Sequence, residues 1–173
     1  MLPKKVIFLV GFMGAGKSSV GKLLSVLLNV DFIDSDSFIE KNEGMPVDSI
    51  VKKHSWDYFR EREAAWLDNV DPNKMIVCAT GGGLPCNHGN MEKMLQVGTV
   101  IYLECSNDVL FERVSNQNAN RPLLSALSGD ELMEFIAATM SVRAFYYSRA
   151  NIIINGNENV EAIAKQLVKI LAK

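Results

Sequence analysis

Gly11-Phe12-Met13-Gly14-Ala15-Gly16-Lys17-Ser18 is the stretch of sequence that decides the fold. It fits the pattern G-x-x-x-x-G-K-[ST], a loop whose backbone N–H groups surround a phosphate. The apolar, β-branched run Val6–Val10 precedes it and predicts a buried strand, and apolar residues recur at helical spacing over 20–28. A strand, a glycine-rich turn and a helix N-terminus facing the anion are the arrangement that this motif requires.

The loop therefore predicts a nucleotide phosphate site. In such a loop Lys17 reaches the β- and γ-phosphates, and the Ser18 hydroxyl faces Mg²⁺. Backbone and side-chain groups of the same turn complete the expected ATP contacts, namely Gly14, Ala15, Gly16 and Ser19.

Apolar runs and amphipathic segments alternate along the rest of the chain. Further strands are predicted at 30–33, 75–79, 99–103 and 151–155, and helices at 36–40, 47–51, 55–70, 107–115, 130–149 and 160–171. Asp36 or Ser37 is predicted to cap the first of these helices, and Asp130 the fifth. This alternation indicates an α/β fold with a parallel sheet covered by helices on both faces.

Length and composition narrow the class of protein. A chain of 173 residues suggests one domain over 1–173, and 48% hydrophobic with 22% charged residues is typical of a water-soluble globule. A net charge of −2 without a basic stripe argues against nucleic acid as a partner. No run is long enough to span a membrane, and three cysteines without metal-ligand spacing favour a reducing cytoplasm.

Polar residues follow the predicted strands where a ligand of a parallel sheet binds, beyond the strand carboxyl ends. Asp34 and Asp36 follow the second strand, and Gly81, Gly82 and Gly83 follow the third. Together with the phosphate loop, these carboxylates predict a magnesium site and a group that positions an acceptor hydroxyl.

Two arginines occupy positions on helical stripes where apolar residues are expected, Arg60 and Arg143. Glu63 is three residues from Arg60, so a half-buried ion pair at the stripe edge is the alternative for that residue. Arg143 has no acidic residue three or four positions away. A guanidinium group matches a carboxylate or phosphate, so both predict an anionic acceptor and phosphoryl transfer to it.

The segment 116–130 lacks a sustained period and contains Arg121, held extended by Pro122. A loop of this length in a compact domain is often a lid, and a disordered insertion is the alternative. Other nucleotide-binding classes fit less well, because the N-K-x-D motif of GTPases and the apolar strand ending in Asp-Glu of motor ATPases are absent. A simple binding module would not need Lys17, Ser18 and two inward arginines together.

The chain resembles the shikimate kinase family, of the nucleoside monophosphate kinase-like superfamily, over nearly its whole length. The resemblance rests on a set of motifs in order: the G-x-x-G-x-G-K-S loop, Asp34-x-Asp36, Phe59-Arg60-x-x-Glu63, Gly81-Gly82-Gly83, Arg121-Pro122-Leu123-Leu124, and Arg143 followed by Tyr146-Tyr147. It implies a three-layer P-loop kinase fold with strand order 2-3-1-4-5, a shikimate-binding region over 34–70 and a lid over 116–130.

The resemblance also implies the reaction and the residue roles. The reaction is ATP-dependent phosphorylation of the shikimate 3-hydroxyl, on the route to chorismate and the aromatic amino acids, by a cytoplasmic monomer. Shikimate is held by Asp36, Arg60, Gly82 and Arg143. Lys17, Asp36 and Arg121 are the catalytic residues, Ser18 binds Mg²⁺ directly, and Asp34 binds it through water.

Two points stay open in this comparison. The family often has a basic residue seven positions before the lid arginine, near adenine, whereas this chain has Val114 there and Arg113 beside it. The ATP contact of Arg113 is thus uncertain by one residue. A gluconate-type kinase of the same superfamily is the alternative function, although it is not expected to combine the Phe-Arg, triple-glycine and Arg-Pro-Leu-Leu motifs.

Overall fold

The computed structural model describes residues 5–116 and 127–172. These residues form a parallel sheet of five strands in the order β2-β3-β1-β4-β5, as predicted. Strand β1 (Val6–Val10) lies at the centre, where Leu9 is in register with Ala79 on one neighbour and with Ile101 on the other. The phosphate loop therefore leaves the middle of the sheet.

The other elements follow the alternation that the sequence predicts. The strands are β2 (Asp31–Asp34), β3 (Ile76–Ala79), β4 (Gly98–Glu104) and β5 (Ile152–Asn155). The helices are α1 (Lys17–Leu28), α2 (Ser35–Glu43), α3 (Val47–Lys53), α4 (Trp56–Asp68), α5 (Asn90–Val97), α6 (Asn107–Ser115), α7 (Gly129–Tyr147) and α8 (Val160–Leu171), with a 3₁₀ turn at Leu84–Cys86.

The pleat of β1 divides the core into two layers. Ile7 and Leu9 point into a cluster that α1, α7 and α8 cover, whereas Val6, Phe8 and Val10 point into a cluster beneath α4 and α5. Successive side chains of a strand point to opposite faces, so a continuously apolar strand indicates a sheet covered on both sides. All five residues of β1 are buried, which confirms the predicted three-layer α/β fold.

Two predicted helix caps are wrong. Helix α2 is capped by Asp34, whose side chain accepts from the N–H groups of Asp36 and Ser37, because β2 extends one residue further than predicted. Helix α7 is capped by Ser128 in a reciprocal capping box with Glu131, not by Asp130.

Helix α5 was not predicted. Its eight residues follow a 3₁₀ turn that contains Pro85, and its N-cap is Gly89. Proline and glycine ordinarily indicate turns, so this short helix has no clear signal in the sequence. Within the described residues, none of the helices has the length and apolar character needed to cross a membrane.

Candidate functional site

The glycines of the phosphate loop take conformations that other residues rarely adopt. Gly11, Gly14 and Gly16 have φ values of 141°, 81° and 90°. Gly16 is left-handed at the N-cap of α1, so the backbone turns sharply just before the helix begins. The loop therefore presents the N-terminus of α1 to the space above β1, which is the arrangement that binds anions.

Lys17 lies across its own loop. Its Nζ donates hydrogen bonds to the carbonyl oxygens of Gly11 and Phe12, each at 2.8 Å, and the residue is 9% exposed. These bonds place a positive charge over the turn, where a phosphate would lie.

Ser18 and Asp34 bring two oxygen ligands together. The Ser18 hydroxyl donates to Oδ2 of Asp34 at 2.5 Å, while Oδ1 of Asp34 accepts from the N–H groups of Asp36 and Ser37 at 3.1 and 3.2 Å. The cap fixes the carboxylate, and its second oxygen faces the phosphate loop. A hydroxyl and a carboxylate are the hard oxygen donors that Mg²⁺ prefers, so these residues fit that ion.

Asp36 is a second carboxylate that follows β2 and lines the site cavity. Burial raises its pKa, and the Asp34 charge raises it further, whereas Lys17 and Arg60 oppose the shift. The Ser35 hydroxyl, fully buried, contacts Oδ1 of Asp36 at 3.4 Å and accepts from the Gly81 N–H at 2.8 Å. A carboxylate with a raised pKa close to the lysine of the phosphate loop is suited to accept a proton from a hydroxyl.

The ion pair between Arg60 and Glu63, which the sequence left as the alternative for Arg60, is present in the structure. Arg60 Nη1 lies 2.5 Å from Oε2 of Glu63, and the side chains are 16% and 0% exposed. Burial raises the pKa of Glu63 to about 7, even though the Arg60 charge and hydrogen bond lower it. In the described residues, Oε1 of Glu63 has no hydrogen-bond partner although it is buried. The pair therefore orients Arg60 without satisfying the whole carboxylate.

The triple glycine lets charged side chains approach the backbone closely. A Cβ on Gly81 would lie 2.4 Å from Oδ1 of Asp36 and 2.7 Å from Oε1 of Glu63. Separations below 3.0 Å essentially never occur for real Cβ atoms. Any larger residue at this position would therefore displace the carboxylates of Asp36 and Glu63, which converge on it.

The next two glycines face the two arginines. A Cβ on Gly82 would be 3.1 Å from Nη1 of Arg143, and one on Gly83 would be 2.4 to 2.6 Å from Nη2, Cζ and Nη1 of Arg60. Three nearly equal distances mean that the Arg60 guanidinium lies flat on the Gly83 backbone. The segment Gly81–Gly83 thus adjoins both arginines and the carboxylates of Asp36 and Glu63.

Arg143 reaches the site from α7, on the other side of the triple glycine. The Tyr147 hydroxyl donates to the Gly82 carbonyl at 2.6 Å; burial raises the pKa of this phenol, and the nearby Arg143 charge opposes the rise. The Cζ of Arg143 is 5.9 Å from the centre of the Phe12 ring. Among residues 5–116 and 127–172 it makes no ion pair. Its half-buried positive charge is therefore not neutralised by an ion pair among these residues, although Glu63 is near enough for the Arg143 charge to lower the pKa of that carboxyl.

One cavity of about 730 Å³ joins these groups. Its walls include most of the predicted site residues: Gly14, Gly16, Lys17, Ser18, Ser19, Asp34, Asp36, Arg60, Gly82 and Arg143. Ala15 is buried in the loop and 1% exposed. Arg121 and most of the predicted lid lie outside the described residues.

Arg113 lies away from the walls of this cavity. Its guanidinium donates to the carbonyl oxygens of Gly156, Asn157 and Glu158 at 2.9, 3.2 and 3.3 Å. It thereby fixes the turn after β5, while a Cβ on Gly14 would meet Val114 at 2.9 Å. A contact between Arg113 and ATP stays a prediction.

Sequence reasoning gave no role to three residues of the site. Ser35 is the middle residue of the Asp34-x-Asp36 motif and Tyr147 ends the motif after Arg143, but neither has a sequence signal for its hydrogen bonds. Trp56, the first residue of α4, is 47% exposed and lines the cavity. An aromatic residue four positions before the arginine was the available signal.

Comparison with known proteins gives a consistent result. The model of the shikimate kinase family matches residues 13–172. A shikimate kinase from Bacteroides thetaiotaomicron is 38% identical over 170 residues, covering 95% of this chain and 97% of the relative. The crystal structure of the shikimate kinase from that organism has a TM-score of 0.93 at 37% identity, covering 97% of this chain and 98% of that chain.

A third comparison includes a ligand. The shikimate kinase from Acinetobacter baumannii, solved in complex with shikimate, has a TM-score of 0.87 at 31% identity, covering 99% of this chain and 94% of that chain. The family match, the relatives and the residues gathered around the cavity agree, and the chain belongs to the shikimate kinase family.

Proposed function

We propose that this protein phosphorylates the 3-hydroxyl of shikimate with ATP, giving shikimate 3-phosphate and ADP. The observation that carries the proposal is that one cavity is lined by Lys17, by Asp36 and by two arginines from different helices. Shikimate carries one carboxylate and several hydroxyls, so it matches a site with two cations on one side and an aspartate on the other.

Each charged group has a task in this reaction. Asp36 accepts the proton of the 3-hydroxyl while the oxygen of that hydroxyl attacks the γ-phosphorus of ATP. The bond between this phosphorus and the β–γ bridging oxygen breaks, and ADP leaves. Lys17 stabilises negative charge on the transferring group, as positioned cations do in phosphoryl transfer. We assign the same task to Arg121, on the resemblance alone.

Arg60 and Arg143 hold the acceptor at the opposite end. Both guanidinium groups lie against Gly82 and Gly83, from α4 and from α7. They bind the substrate carboxylate, which does not change in the reaction, and so they set the position of the hydroxyl relative to Asp36. Gly82 lets the substrate approach the backbone between them.

Mg²⁺ is the metal that we propose, held by the Ser18 hydroxyl directly and by Asp34 through water. When bound, the ion neutralises charge on the β- and γ-phosphates. Asp34 keeps its capping bonds to α2 through its other oxygen, so metal binding does not require α2 to unwind.

We also propose that the enzyme acts as a monomer in the cytoplasm. All three cysteines, Cys78, Cys86 and Cys105, are free, which is consistent with a reducing compartment. Size-exclusion chromatography with light scattering tests the monomer, for which a mass near 19.2 kDa is expected. A mass near twice that value would contradict it.

A coupled assay tests the reaction. Purified protein with ATP and Mg²⁺ is given shikimate, gluconate or a nucleoside monophosphate, and ADP formation is followed. We expect turnover with shikimate and at most background with the others; faster turnover of gluconate would favour the alternative kinase. Mass spectrometry and NMR of the product then identify the phosphorylated oxygen, and phosphate on another hydroxyl would overturn the assignment of Asp36.

A further inference from the structure

Trp56 is a large aromatic residue that the core does not enclose. It is the first residue of α4, is 47% exposed and lines the site cavity. Phe59, three residues later, is 2% exposed and packs in the core with Ile39 and Ile50. Trp56 therefore turns its ring to the cavity, while its neighbour anchors the helix.

The Arg60 guanidinium has neighbours on several sides. Gly83 lies against its flat face and Glu63 accepts from its edge. Its Cζ lies 5.0 Å from the centre of the Trp56 ring and 5.6 Å from that of Phe59. Both distances are within the range in which an aromatic face attracts a cation.

The two rings support one another. Trp56 and Phe59 meet edge to face, with centroids 6.1 Å apart and planes at 76°. This arrangement is favourable for aromatic pairs. Since Phe59 is fixed in the core, it holds the exposed indole against Arg60.

We propose that Trp56 is a positioning residue for substrate binding, which holds the Arg60 guanidinium against Gly83 and covers its pair with the substrate carboxylate at the cavity mouth. The proposal rests on the function proposed above. It assigns Trp56 no part in the chemistry, because the carboxylate is remote from the hydroxyl that reacts. Binding that is equal in the ground and transition states changes KM and leaves kcat unchanged.

Steady-state kinetics of Trp56 variants provide the first test. Trp56→Ala is expected to raise KM for shikimate about 3- to 30-fold, equal to about 0.7–2 kcal/mol at ~1.4 kcal/mol per tenfold, with kcat and KM for ATP within about two-fold of wild type. The melting temperature should change little, because the ring is half exposed.

Two further variants separate positioning from simple apolar cover. Trp56→Phe retains an aromatic face and should restore most of the affinity. Trp56→Leu is apolar but has no ring quadrupole and should resemble Trp56→Ala. A wild-type KM in Trp56→Leu, or a fall of kcat equal to the rise of KM in Trp56→Ala, would overturn the proposal.

Intrinsic fluorescence gives a readout that does not depend on turnover. The sequence has two tryptophans, and the other, Trp66, is 6% exposed. Shikimate should change the emission of the wild-type protein and leave that of Trp56→Phe nearly unchanged; an equal change in both would contradict the placement of Trp56 beside the substrate.

The wild-type assay separates the two proposals. If the wild-type protein does not phosphorylate shikimate, the proposed function fails and this inference falls with it. If the wild-type protein is active and Trp56→Ala has wild-type kinetics, the inference about Trp56 alone is wrong.

Discussion

Replacing Gly83 by alanine isolates the position of one guanidinium. Gly83 has φ −87° and ψ −16°, a right-handed conformation that alanine adopts freely, so the backbone should tolerate the change. The added Cβ would lie 2.4 Å from Nη2 of Arg60, whereas ordinary contact begins at 3.4 Å. The guanidinium must therefore retreat by about 1 Å from the face on which it rests.

The cost of that displacement follows from the role of Arg60. A misplacement of ~1 Å in a positioning group can cost on the order of 100-fold in efficiency. We expect kcat/KM for shikimate to fall by about this factor, mainly through KM, with KM for ATP within about two-fold of wild type. Initial rates with each substrate varied at saturation of the other provide the measurement.

Gly129→Ala is the matched control. A Cβ there would meet Phe111 at 3.7 Å, an ordinary contact, and Gly129 opens α7 away from the cavity walls. Alanine in a compatible helical position stabilises a protein by about 0.4–1 kcal/mol through the unfolded chain. Residue 129 belongs to the predicted lid range 116–130 but does not line the cavity, so Gly129→Ala should keep the wild-type KM for shikimate and melt no lower. A folded Gly83→Ala protein with unchanged KM for shikimate would refute the argument that Arg60 binds the substrate from its place on Gly83.

Four other perturbations have defined outcomes. Lys17→Ala should lower kcat by on the order of 10³-fold or more while the protein stays folded, as initial rates and circular dichroism would show. Asp36→Asn should lower kcat by roughly 10²–10⁴ with ATP binding intact, and Asp34→Asn should instead raise the Mg²⁺ requirement more; identical Mg²⁺ titrations would contradict this division. Arg143→Ala should weaken shikimate binding about 30-fold or more in calorimetry, with little change for ATP or in the apo melting temperature; an unchanged affinity would make it a structural residue. The pKa of Glu63 is raised from 4.5 to about 7, so between these pH values its carboxyl keeps a proton in the folded state and loses it in the unfolded state. The free energy of unfolding, relative to that of Glu63→Gln, should therefore fall by about 3 kcal/mol as the pH rises through this range. Denaturant unfolding at several pH values provides the measurement, and the absence of this trend would refute the raised pKa.

The sequence predicted the layers of the fold because the three central strands, β3, β1 and β4, are buried on both faces. Such strands are continuous apolar runs, and the run before the phosphate loop is fully buried in the structure. Helices α6 and α8 begin and end where the apolar spacing predicted. The strand order came from the resemblance to a family, since periodicity does not say which strands pair.

Features that depend on one-residue geometry were not predictable. Asp34, Ser35 and Asp36 all carry oxygens that can cap a helix, and the length of β2 decides that Asp34 does so. Spacing also could not distinguish Arg113 from Val114 near the phosphate loop, because the direction of each side chain depends on the packing of α6. Helix α5 had too few residues to show a period between its breakers.

The site residues divide along the same line. Arg60 and Arg143 were predictable because charge on an apolar stripe is costly and requires a reason. The contact between the Trp56 ring and the Arg60 guanidinium was not predictable, because an aromatic residue on the apolar stripe of a helix ordinarily lies in the core. Its exposure depends on how far the first turn of α4 projects beyond Phe59, which is a property of the assembled fold.

The two bonds that Asp34 makes to α2 give the protein an internal reporter. The amide hydrogens of Asp36 and Ser37 are held by one oxygen of this carboxylate, and its other oxygen accepts from Ser18, sixteen residues earlier in the chain. Exchange of those two hydrogens with solvent requires their hydrogen bonds to the Asp34 carboxylate to break. The exchange rates of these two hydrogens should therefore change when nucleotide binds at the phosphate loop, even before shikimate is added. The start of α2 would then report nucleotide binding from within the predicted shikimate-binding region.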